Sequence, residues 1–338
     1  MNFILANYVK PVLLKTRENS CNCSSFEHDG KEYLISRNVS YYMGEDFVYH
    51  INEKCKTRNL LYEIVDDSGN LNFVKELISP PGDPNSRFYG YEDIRTMCWE
   101  NGVYFSCTTV NGDDTGTMTF GKIENLDLNV IKQIRTSNRR EKNWVPIENM
   151  PGNYIYSFDP ITIVDSNREI CIRAKERFNL PLSGSTPLLE YKDGYIALVH
   201  SKDRNLRYTH QFVELGPDLR IRRISVPFSF LGAKTEFCVD AKIIGGKIRL
   251  LPSVFDGISY MFTFSLEILE SILDGKFSNS DVVNIYDKLF VDACLVSKEV
   301  AMVFAIYGTE KSKEVAREFL KIENLDNALI HRIRGRLR

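Results

Sequence analysis

The residues with the clearest potential for chemistry lie in one short segment, Glu92-Asp93-Ile94-Arg95. In an extended strand, side chains two positions apart point to the same face, so this spacing predicts that Asp93 and Arg95 share a pocket. A carboxyl group there can donate a proton to the leaving oxygen of a glycoside, provided that its surroundings keep its pKa high enough. The alternative is a buried ion pair that ties two strands together, and the motif by itself leaves both interpretations open.

Basic and hydrogen-bonding residues recur at comparable points elsewhere in the chain. They are Arg37, Arg139, Arg140, Lys142, His200, Tyr208 and His210. If these side chains converge, they form a site for phosphate or a sugar phosphate, because charge-assisted hydrogen bonds from Arg and Lys are strong. A lone histidine on an apolar strand is more often a core residue, but the recurrence favours a ligand site.

These residues belong to a pattern that occurs five times: a polar cluster, a glycine turn and an aromatic-rich extended run. The clusters begin at Asn22, Glu92, Lys142, Ser185 and Glu236. The turns are Asp29-Gly30, Asn101-Gly102, Pro151-Gly152, Asp193-Gly194 and Gly245-Gly246. A unit of short strands that recurs at roughly 40 to 50 residues is typical of a β-propeller blade. We therefore predict an all-β fold, a five-bladed β-propeller over residues 1–285, whose clusters meet at its centre.

The sequence changes in character towards its end. Leu266–Leu273 has the pattern of a short helix, and a later stripe of apolar residues recurs at helical spacing. The stripe is formed by Val315, Phe319, Ile322, Leu325 and Leu329. We predict that residues 286–338 are a partly helical C-terminal extension that packs on the propeller or on a second copy, giving a homo-oligomer. The arginines that close the chain would complement a helix dipole; contact with phosphate or a membrane is the less favoured alternative.

The composition limits the classes of partner. Among 338 residues, 43 Lys and Arg balance 45 Asp and Glu, so the formal net charge of −2 gives no overall attraction to nucleic acid or lipid. No run approaches the ~20 apolar residues that span a bilayer, and the N-terminus lacks the features of a signal peptide. We predict a soluble, cytoplasmic protein that has no transmembrane segment and binds no nucleic acid.

The cysteines and histidines show no metal-binding spacing, and one loop has a composition that is typical of turns. The eight cysteines include no CxxC pair and the five histidines no HExxH motif, so we expect reduced thiols and no metal site. The loop Ser79–Ser86 is rich in Pro, Gly and Asn, and it precedes the Glu92 cluster. It is either a rim or lid of the pocket or a plain connector.

Several motifs, taken in chain order, resemble one family. They are Asn22-Cys23-Ser24 with Arg37, Gly90–Arg95, Lys142–Pro146, Gly184–Pro187, Tyr208-Thr209-His210 and Asp256. Together they resemble the β-mannoside phosphorylases of glycoside hydrolase family 130 and the related β-1,2-mannosyltransferases and transferase-phosphorylases, over residues 20 to 265. Ile94 and Cys23 stand where the family commonly has proline, and Cys238-Val239-Asp240 replaces a small, glycine-rich stretch. These departures indicate a divergent subgroup.

The resemblance implies a role for each matching residue. Asp93 would be the sole catalytic acid, and its proton would reach the leaving oxygen through a hydroxyl of the mannose. The substrate would be bound by Asn22, Ser24, Arg37, Glu92, Arg95, Asn143 and Asp256. Phosphate would be bound by Lys142, His200, Tyr208 and His210, and Arg140, or alternatively Arg139, is predicted to join this anion-binding group. No cofactor is implied, and inorganic phosphate or a sugar phosphate would be the co-substrate.

Phosphorolysis fits this inventory, because phosphate is already an anion, whereas an inverting hydrolase needs a second carboxylate to deprotonate water. One acid opposite a group of cations would therefore suffice. We predict an enzyme that transfers a mannosyl unit between a β-mannoside of β-1,2 type, in an oligosaccharide or glycan, and phosphate with inversion. The alternatives are a β-mannosyltransferase that uses a nucleotide sugar or mannose 1-phosphate in glycan synthesis, and a sugar-binding propeller without catalysis.

Overall fold

The computed structural model describes residues 3–43, 49–51, 55–79, 85–100, 102–139, 141–175, 177, 179–205, 207–277, 285–297, 300–301, 304–305 and 308–320. Predictions about Arg140, the middle of the Ser79–Ser86 loop and the C-terminal arginines lie outside the described residues. The same holds for the end of the predicted helical stripe, at Ile322, Leu325 and Leu329.

Most of the described chain is extended, because runs of β-branched and aromatic residues alternate with tight turns. Strands make up 54% and helices 12%. The strands are β1 (Phe3–Ile4), β2 (Val12–Leu13), β3 (Cys21–His28), β4 (Lys31–Val39), β5 (Tyr41–Met43), β6 (Tyr49–Ile51), β7 (Cys55–Ile64), β8 (Leu71–Leu77), β9 (Phe88–Tyr89), β10 (Glu92–Trp99), β11 (Gly102–Val110), β12 (Thr115–Glu124), β13 (Asp127–Arg139), β14 (Val145–Pro146), β15 (Asn153–Phe158), β16 (Ile161–Asp165), β17 (Ile170–Arg173), β18 (Ser183–Gly184), β19 (Leu189–Tyr191), β20 (Gly194–Lys202), β21 (Tyr208–Leu215), β22 (Ile221–Ile224), β23 (Phe228–Ser229), β24 (Glu236–Ile244), β25 (Lys247–Val254) and β26 (Ile258–Ser265).

The predicted glycine turns join antiparallel strands into hairpins. Four of them connect β3 to β4, β14 to β15, β19 to β20 and β24 to β25. Gly30 illustrates the requirement, because its φ of 72° is a conformation that glycine adopts without steric cost. In the remaining turn, Gly102 opens β11, and Asn101 lies outside the described residues. The repeating hairpin is therefore confirmed.

Among the described residues, the hairpins build five sheets of four or more strands, which follow one another along the chain, besides the short pair β5–β6. Sheet 1 has the order β3-β4-β7-β8 with β9 beside β7, sheet 2 the order β10-β11-β12-β13 and sheet 3 the order β14-β15-β16-β17. Sheet 4 contains β18 to β23 with β1, and sheet 5 has the order β24-β25-β26-β2. The sheets are arranged as a β-propeller, and four of them are recognised as blades of the propeller. The propeller prediction is confirmed, and the count of five stays a prediction.

The N-terminal strands tie the last two sheets together. β2 forms the outer strand of sheet 5, with Val12 opposite Met261. β1 pairs in parallel with β23 of sheet 4, with Phe3 opposite Phe228. The inner edge strands β3, β10 and β24 contact one another.

Helices α1 (Leu266–Leu273), α2 (Ile285–Cys294) and α3 (Glu310–Leu320) follow the strands. Ser265 caps α1 by accepting a hydrogen bond from the backbone N–H of Ile268, which confirms the predicted short helix. Buried residues of the three helices share one hydrophobic core with sheets 4 and 5. In α3, Val315 is 46% exposed and Ala316 is buried, so the predicted stripe is not the buried face at that point. The domain boundary after residue 285 and the homo-oligomer stay predictions.

Candidate active site

Two β-bulges lie at the start of the innermost strands of sheets 1 and 2. The pairing of β3 with β4 shifts register around Asn22, and the pairing of β10 with β11 shifts around Asp93. These residues have φ values of 47° and 55°, in the left-handed region that Asn and Asp tolerate better than other side chains. A bulge re-aims the residue that it contains. Both polar side chains are thereby turned towards the same central space.

That space is a cavity of about 630 Å³ between the inner ends of the sheets. Segments far apart in sequence contribute to its wall, as the repeat predicted. The predicted site residues that line it are Asn22, Arg37, Glu92, Asp93, Lys142, Asn143, His200, Tyr208 and Asp256. The structure therefore brings most of the candidate residues together around one volume.

Asp93 is enclosed by donors on both of its carboxylate oxygens. Its side chain is only 2% exposed. Oδ1 accepts hydrogen bonds from Asn22 Nδ2 at 2.5 Å and from Arg37 Nη1 at 3.1 Å, and Lys142 Nζ lies 3.5 Å from Oδ2. These contacts stabilise the charged form of the Asp93 carboxylate.

The pKa of Asp93 follows from the balance of these surroundings. Burial opposes the charged form, but the charges of Lys142, Arg37 and Arg95 and the hydrogen bond from Asn22 outweigh it and hold the pKa well below its ordinary value. The high pKa that acid catalysis requires is therefore not supplied by the protein groups alone. A change of charge in the cavity is needed before Asp93 can carry a proton.

Glu92 shares the same two cations. Arg37 Nη2 lies 3.2 Å from Oε1 of Glu92, and Lys142 Nζ lies 3.6 Å from Oε2. The Arg37 side chain is 5% exposed and is occupied by two carboxylates, whereas that of Lys142 is 38% exposed. The ammonium group of Lys142 therefore faces the cavity, where an incoming anion can reach it.

His200 and Tyr208 form another part of the wall. Their rings stack at 5.6 Å, and Phe237 meets His200 edge-on at 4.8 Å. Burial, followed by the charges of nearby basic residues, lowers the pKa of His200 well below its usual value, so the imidazole is neutral. A neutral imidazole and a phenol can both donate hydrogen bonds to phosphate or sugar oxygens.

Asp256 is another buried carboxylate that lines the cavity, and its surroundings differ from those of Asp93. It has a φ of 50°, and its Oδ2 accepts a hydrogen bond from Tyr41 Oη at 2.5 Å. Burial raises the pKa of Asp256, and Arg37 and Tyr41 oppose this effect only in part. The pKa values of Asp93 and Asp256 are thus shifted in opposite directions, as is common where two carboxylates have different tasks.

Arg95 does not share the cavity with Asp93, contrary to the prediction. It is 1% exposed, and it donates from Nε to the Ser185 carbonyl at 2.6 Å, from Nη1 to the Asp93 carbonyl at 3.1 Å and from Nη2 to Asn143 Oδ1 at 3.3 Å. The bulge is the reason, because an inserted residue interrupts the alternation of faces along a strand. Arg95 supports the backbone of the site and does not line it.

Ser24 and His210 were also predicted to bind ligand, but both are fully buried and neither lines the cavity. Ser24 lies beyond the Asn22 bulge, where the alternation of faces is reset. His210 packs against Phe230 at 4.7 Å, both its ring nitrogens have no hydrogen-bond partner among the described residues, and burial lowers its pKa to about 3. It lies on β21, one strand farther from the inner edge than β20, which carries His200.

Other residues of the cavity were not predicted. They are Tyr41, Asn85, Arg87, Phe88, Thr108, Val110, Asn111, Gly112, Asp114, Gly116, Glu141, Thr235 and Phe237. Many belong to the β11–β12 turn or to the segment before β9, outside the repeated pattern, so no periodic signal indicated them. The sequence contained one indication of these residues, namely the Ser79–Ser86 loop, whose Asn85 lines the cavity.

The described residues contain neither a metal-binding cluster nor a membrane-spanning helix. Within them, no group of three or more His, Cys, Asp or Glu side chains is placed to hold a metal ion. Over the same part of the chain, no helix is both long enough and apolar enough to cross a membrane. All eight cysteines are free thiols, and the cytoplasmic location stays a prediction.

Known proteins resemble this one in structure and not in overall sequence. No protein-family model matches the sequence, and no curated protein matches it. The β-1,2-mannobiose phosphorylase of Listeria innocua, solved with β-1,2-mannobiose, aligns with a TM-score of 0.57 at 12% identity, over 76% of this chain and 92% of that one. MPT-4, a mannose phosphorylase of Leishmania mexicana solved with phosphate, aligns with a TM-score of 0.54 at 14% identity, over 78% and 91%.

A third structure comes from work on the GH130 mannoside phosphorylase family and its glycoside hydrolases that target β-1,2-mannosidic linkages in Candida mannan. It aligns with a TM-score of 0.53 at 13% identity, over 75% of this chain and 86% of that one. At such identities the likeness concerns the fold. It agrees with the resemblance of the ordered motifs, and the chain therefore has the β-propeller fold of the family 130 mannoside phosphorylases and related enzymes.

Proposed function

We propose that this protein transfers a mannosyl unit between a β-mannoside and phosphate, with inversion at the anomeric carbon. The observation that carries the proposal is the pairing of Asp93 with Lys142, 3.5 Å apart, at a cavity that His200 and Tyr208 also line. An acid and a set of anion-binding groups around one sugar-sized space supply both the proton and the nucleophile position that phosphorolysis needs.

In phosphorolysis, the bond between mannose C1 and the glycosidic oxygen breaks while a phosphate oxygen bonds to C1 from the opposite face. The leaving oxygen receives the proton held by Asp93, passed through a mannose hydroxyl as the family resemblance implies. The products are mannose 1-phosphate and the sugar that carried the mannose. In the reverse direction, Asp93 recovers the proton from the attacking hydroxyl.

Phosphate itself can supply the change of charge that Asp93 requires. A phosphate dianion beside Lys142 offsets the positive charge that holds the pKa of Asp93 down, so binding of the anion raises that pKa. Binding of the co-substrate therefore shifts Asp93 towards the protonated form that the reaction uses.

Glu92, Asp256, Glu141 and Asp114 also line the cavity, so Asp93 is one of several carboxylates there. Glu92 is held by Arg37 and Lys142, and Asp256 by Tyr41. We assign both to the hydroxyl groups of the mannose. Neither is assigned to the activation of water, because Glu92 is tied by ion pairs and burial favours the neutral form of Asp256.

The five-blade count is part of the same proposal. Five sheets of at least four strands follow in chain order, and β2 completes the outer edge of the last one. Strand exchange of this kind between the two ends of a chain would close a ring of five.

The test is an activity assay with a panel of β-mannosides, with and without inorganic phosphate. We expect mannose 1-phosphate to form only with phosphate present, and Asp93→Asn to lower the rate by about 10²–10⁴-fold at an unchanged melting temperature. Asp67→Asn, at an exposed aspartate outside the cavity, is the control. Equal rates in the wild type and Asp93→Asn would reject the assignment of Asp93, and free mannose without phosphate would indicate a hydrolase.

A mannosyltransferase that uses a nucleotide sugar is the second candidate, and one observation favours it. Arg87, an exposed cation, also lines the cavity and could meet a second phosphate group. Incubation with GDP-mannose or mannose 1-phosphate and an oligosaccharide separates the candidates by release of GDP or of phosphate. Binding of mannosides without turnover of any donor would identify a sugar-binding propeller.

A further inference from the structure

The segment Gly184–Pro187 was singled out by its sequence, but it does not line the cavity. Its central residue, Ser185, is fully buried, and its Oγ lies 2.8 Å from Nδ1 of His200. The Ser185 carbonyl accepts the hydrogen bond from Arg95 Nε at 2.6 Å. Ser185 therefore contacts both His200, which lines the cavity, and Arg95, which supports the backbone of the site.

The donors and acceptors that are available decide which of the two groups, the Ser185 hydroxyl or Nδ1 of His200, donates the hydrogen bond between them. A serine hydroxyl has one hydrogen to donate, and a neutral imidazole carries one N–H and one acceptor nitrogen. Within the described part of the chain, Nδ1 of His200 is the one group in hydrogen-bond contact with the Ser185 hydroxyl. If Ser185 accepted a hydrogen bond from Nδ1–H, its own hydrogen would be buried without an acceptor, which costs about 1–3 kcal/mol.

Two aromatic rings also fix the orientation of the His200 imidazole. Tyr208 stacks on one side of the ring at an interplanar angle of 30°, and Phe237 meets it at 85°. With Nδ1 occupied by Ser185 and the ring lining the cavity, Nε2 is the nitrogen left for a ligand.

We propose that Ser185 is a positioning residue whose hydroxyl donates to Nδ1 of His200 and so keeps the single ring hydrogen on Nε2, as an uncharged donor towards an anion in the cavity. The tautomer is a property of the protein itself. The use of the donor, to bind an oxygen of phosphate, rests on the proposed function.

The first experiment is nitrogen NMR of the full-length protein labelled with ¹⁵N-histidine, with the His200 signals assigned by comparison with His200→Gln. Protonated and unprotonated ring nitrogens differ widely in chemical shift. We expect His200 in the wild type to be neutral with its hydrogen on Nε2, and Ser185→Ala to yield a mixture of tautomers. Ser106→Ala removes another buried serine hydroxyl, one without a partner among the described residues, and should leave the His200 spectrum unchanged.

A hydrogen on Nδ1 in the wild type, a charged ring at neutral pH or an unchanged tautomer in Ser185→Ala would each overturn the inference. The wild-type spectrum tests it even if Ser185→Ala does not fold. Ser185→Thr keeps the hydroxyl and should restore the Nε2–H form if the variant folds.

The second experiment measures inorganic phosphate binding by calorimetry. We expect Ser185→Ala to weaken binding roughly three- to tenfold, the effect of one impaired hydrogen bond, while Ser106→Ala is unchanged. If the spectra are as expected and the wild type binds no phosphate, the proposed function fails and the tautomer assignment stands. If the wild type binds phosphate and Ser185→Ala binds it equally well, the positioning role fails and the proposed function stands.

Discussion

Asn22 Nδ2 donates a hydrogen bond to Asp93 Oδ1 over 2.5 Å and so joins the bulges of two neighbouring sheets. Both residues have left-handed backbone conformations, which a polypeptide adopts at a cost unless the surrounding structure requires them. The contact therefore couples the backbone geometry of sheet 1 to the ionisation of the candidate acid in sheet 2.

Two substitutions at Asn22 separate the effect of its side-chain hydrogen bond from the effect of its backbone conformation. Asn22→Gly tolerates the φ of 47° and removes the hydrogen bond, so we expect the pKa of Asp93 to rise. We expect the transfer rate to fall about 10- to 100-fold in spite of this rise, because the carboxyl group loses the contact that orients it. Asn22→Ala removes the same bond and adds strain, so it should be about 1 kcal/mol less stable than Asn22→Gly. Rate assays and urea unfolding of both variants provide the comparison, and equal stabilities would contradict the strain.

Lys142 is the cation best placed to meet an incoming anion. We expect Lys142→Met to raise the phosphate KM about tenfold or more, because a charge-assisted contact is lost. It should also raise the pKa of Asp93, since Lys142 contributes the largest lowering effect. Lys75→Met, which removes a surface pair with Asp127, is the matched control and should keep the wild-type KM. An unaltered phosphate KM in Lys142→Met would place the anion elsewhere.

His210 predicts a pH dependence of stability. Its pKa is about 3 in the folded protein and about 6.5 when unfolded, so the unfolded chain takes up a proton first and stability falls as the pH drops below about 6.5. At pH 5 this single group should cost about 2 kcal/mol.

His210→Phe should remove this dependence. It also eliminates two buried nitrogens that lack partners within the described residues, so we expect it to be more stable than the wild type at pH 8 and by a larger margin at pH 5. Urea unfolding at the two pH values, followed by tryptophan fluorescence, gives the difference directly. A margin that does not change with pH would refute the assignment of the titration to His210.

Gly184 sets how closely the segment before Ser185 approaches its neighbours. A Cβ at this position would lie 2.2 Å from Val145 Cγ2 and 2.7 Å from the Asn143 carbonyl oxygen. We expect Gly184→Ala to cost about 1–3 kcal/mol of stability and to reduce activity, because Asn143 lines the cavity. Gly245→Ala meets no atom within 4 Å and is strained only by its φ of 54°, so it should keep full activity. Equal activities in the two variants would show that the close approach does not matter to the site.

Much of this architecture could be predicted from the sequence because its signals are local. Alternating apolar residues and glycine turns define each hairpin within about ten residues, and the pattern repeats. The polar clusters fall at the start of inner strands or next to them, so the convergence of those that begin at Asn22, Glu92 and Lys142 followed from the propeller, whereas the Ser185 cluster lies behind the cavity wall. Ile94 and Cys23 follow Asp93 and Asn22 directly and lie within the two bulges.

The sequence by itself determined the strands, the turns and the polar clusters, of which those that begin at Asn22, Glu92 and Lys142 reach the cavity with their first residues. The tertiary structure decided which of those residues face the cavity, because left-handed bulges at Asn22 and Asp93 override the two-residue alternation that placed Arg95 beside Asp93. It also decided the charge on Asp93. That charge depends on Arg37 and Lys142, 56 and 49 positions away, and the field of residues so distant in sequence exists only once the sheets are assembled.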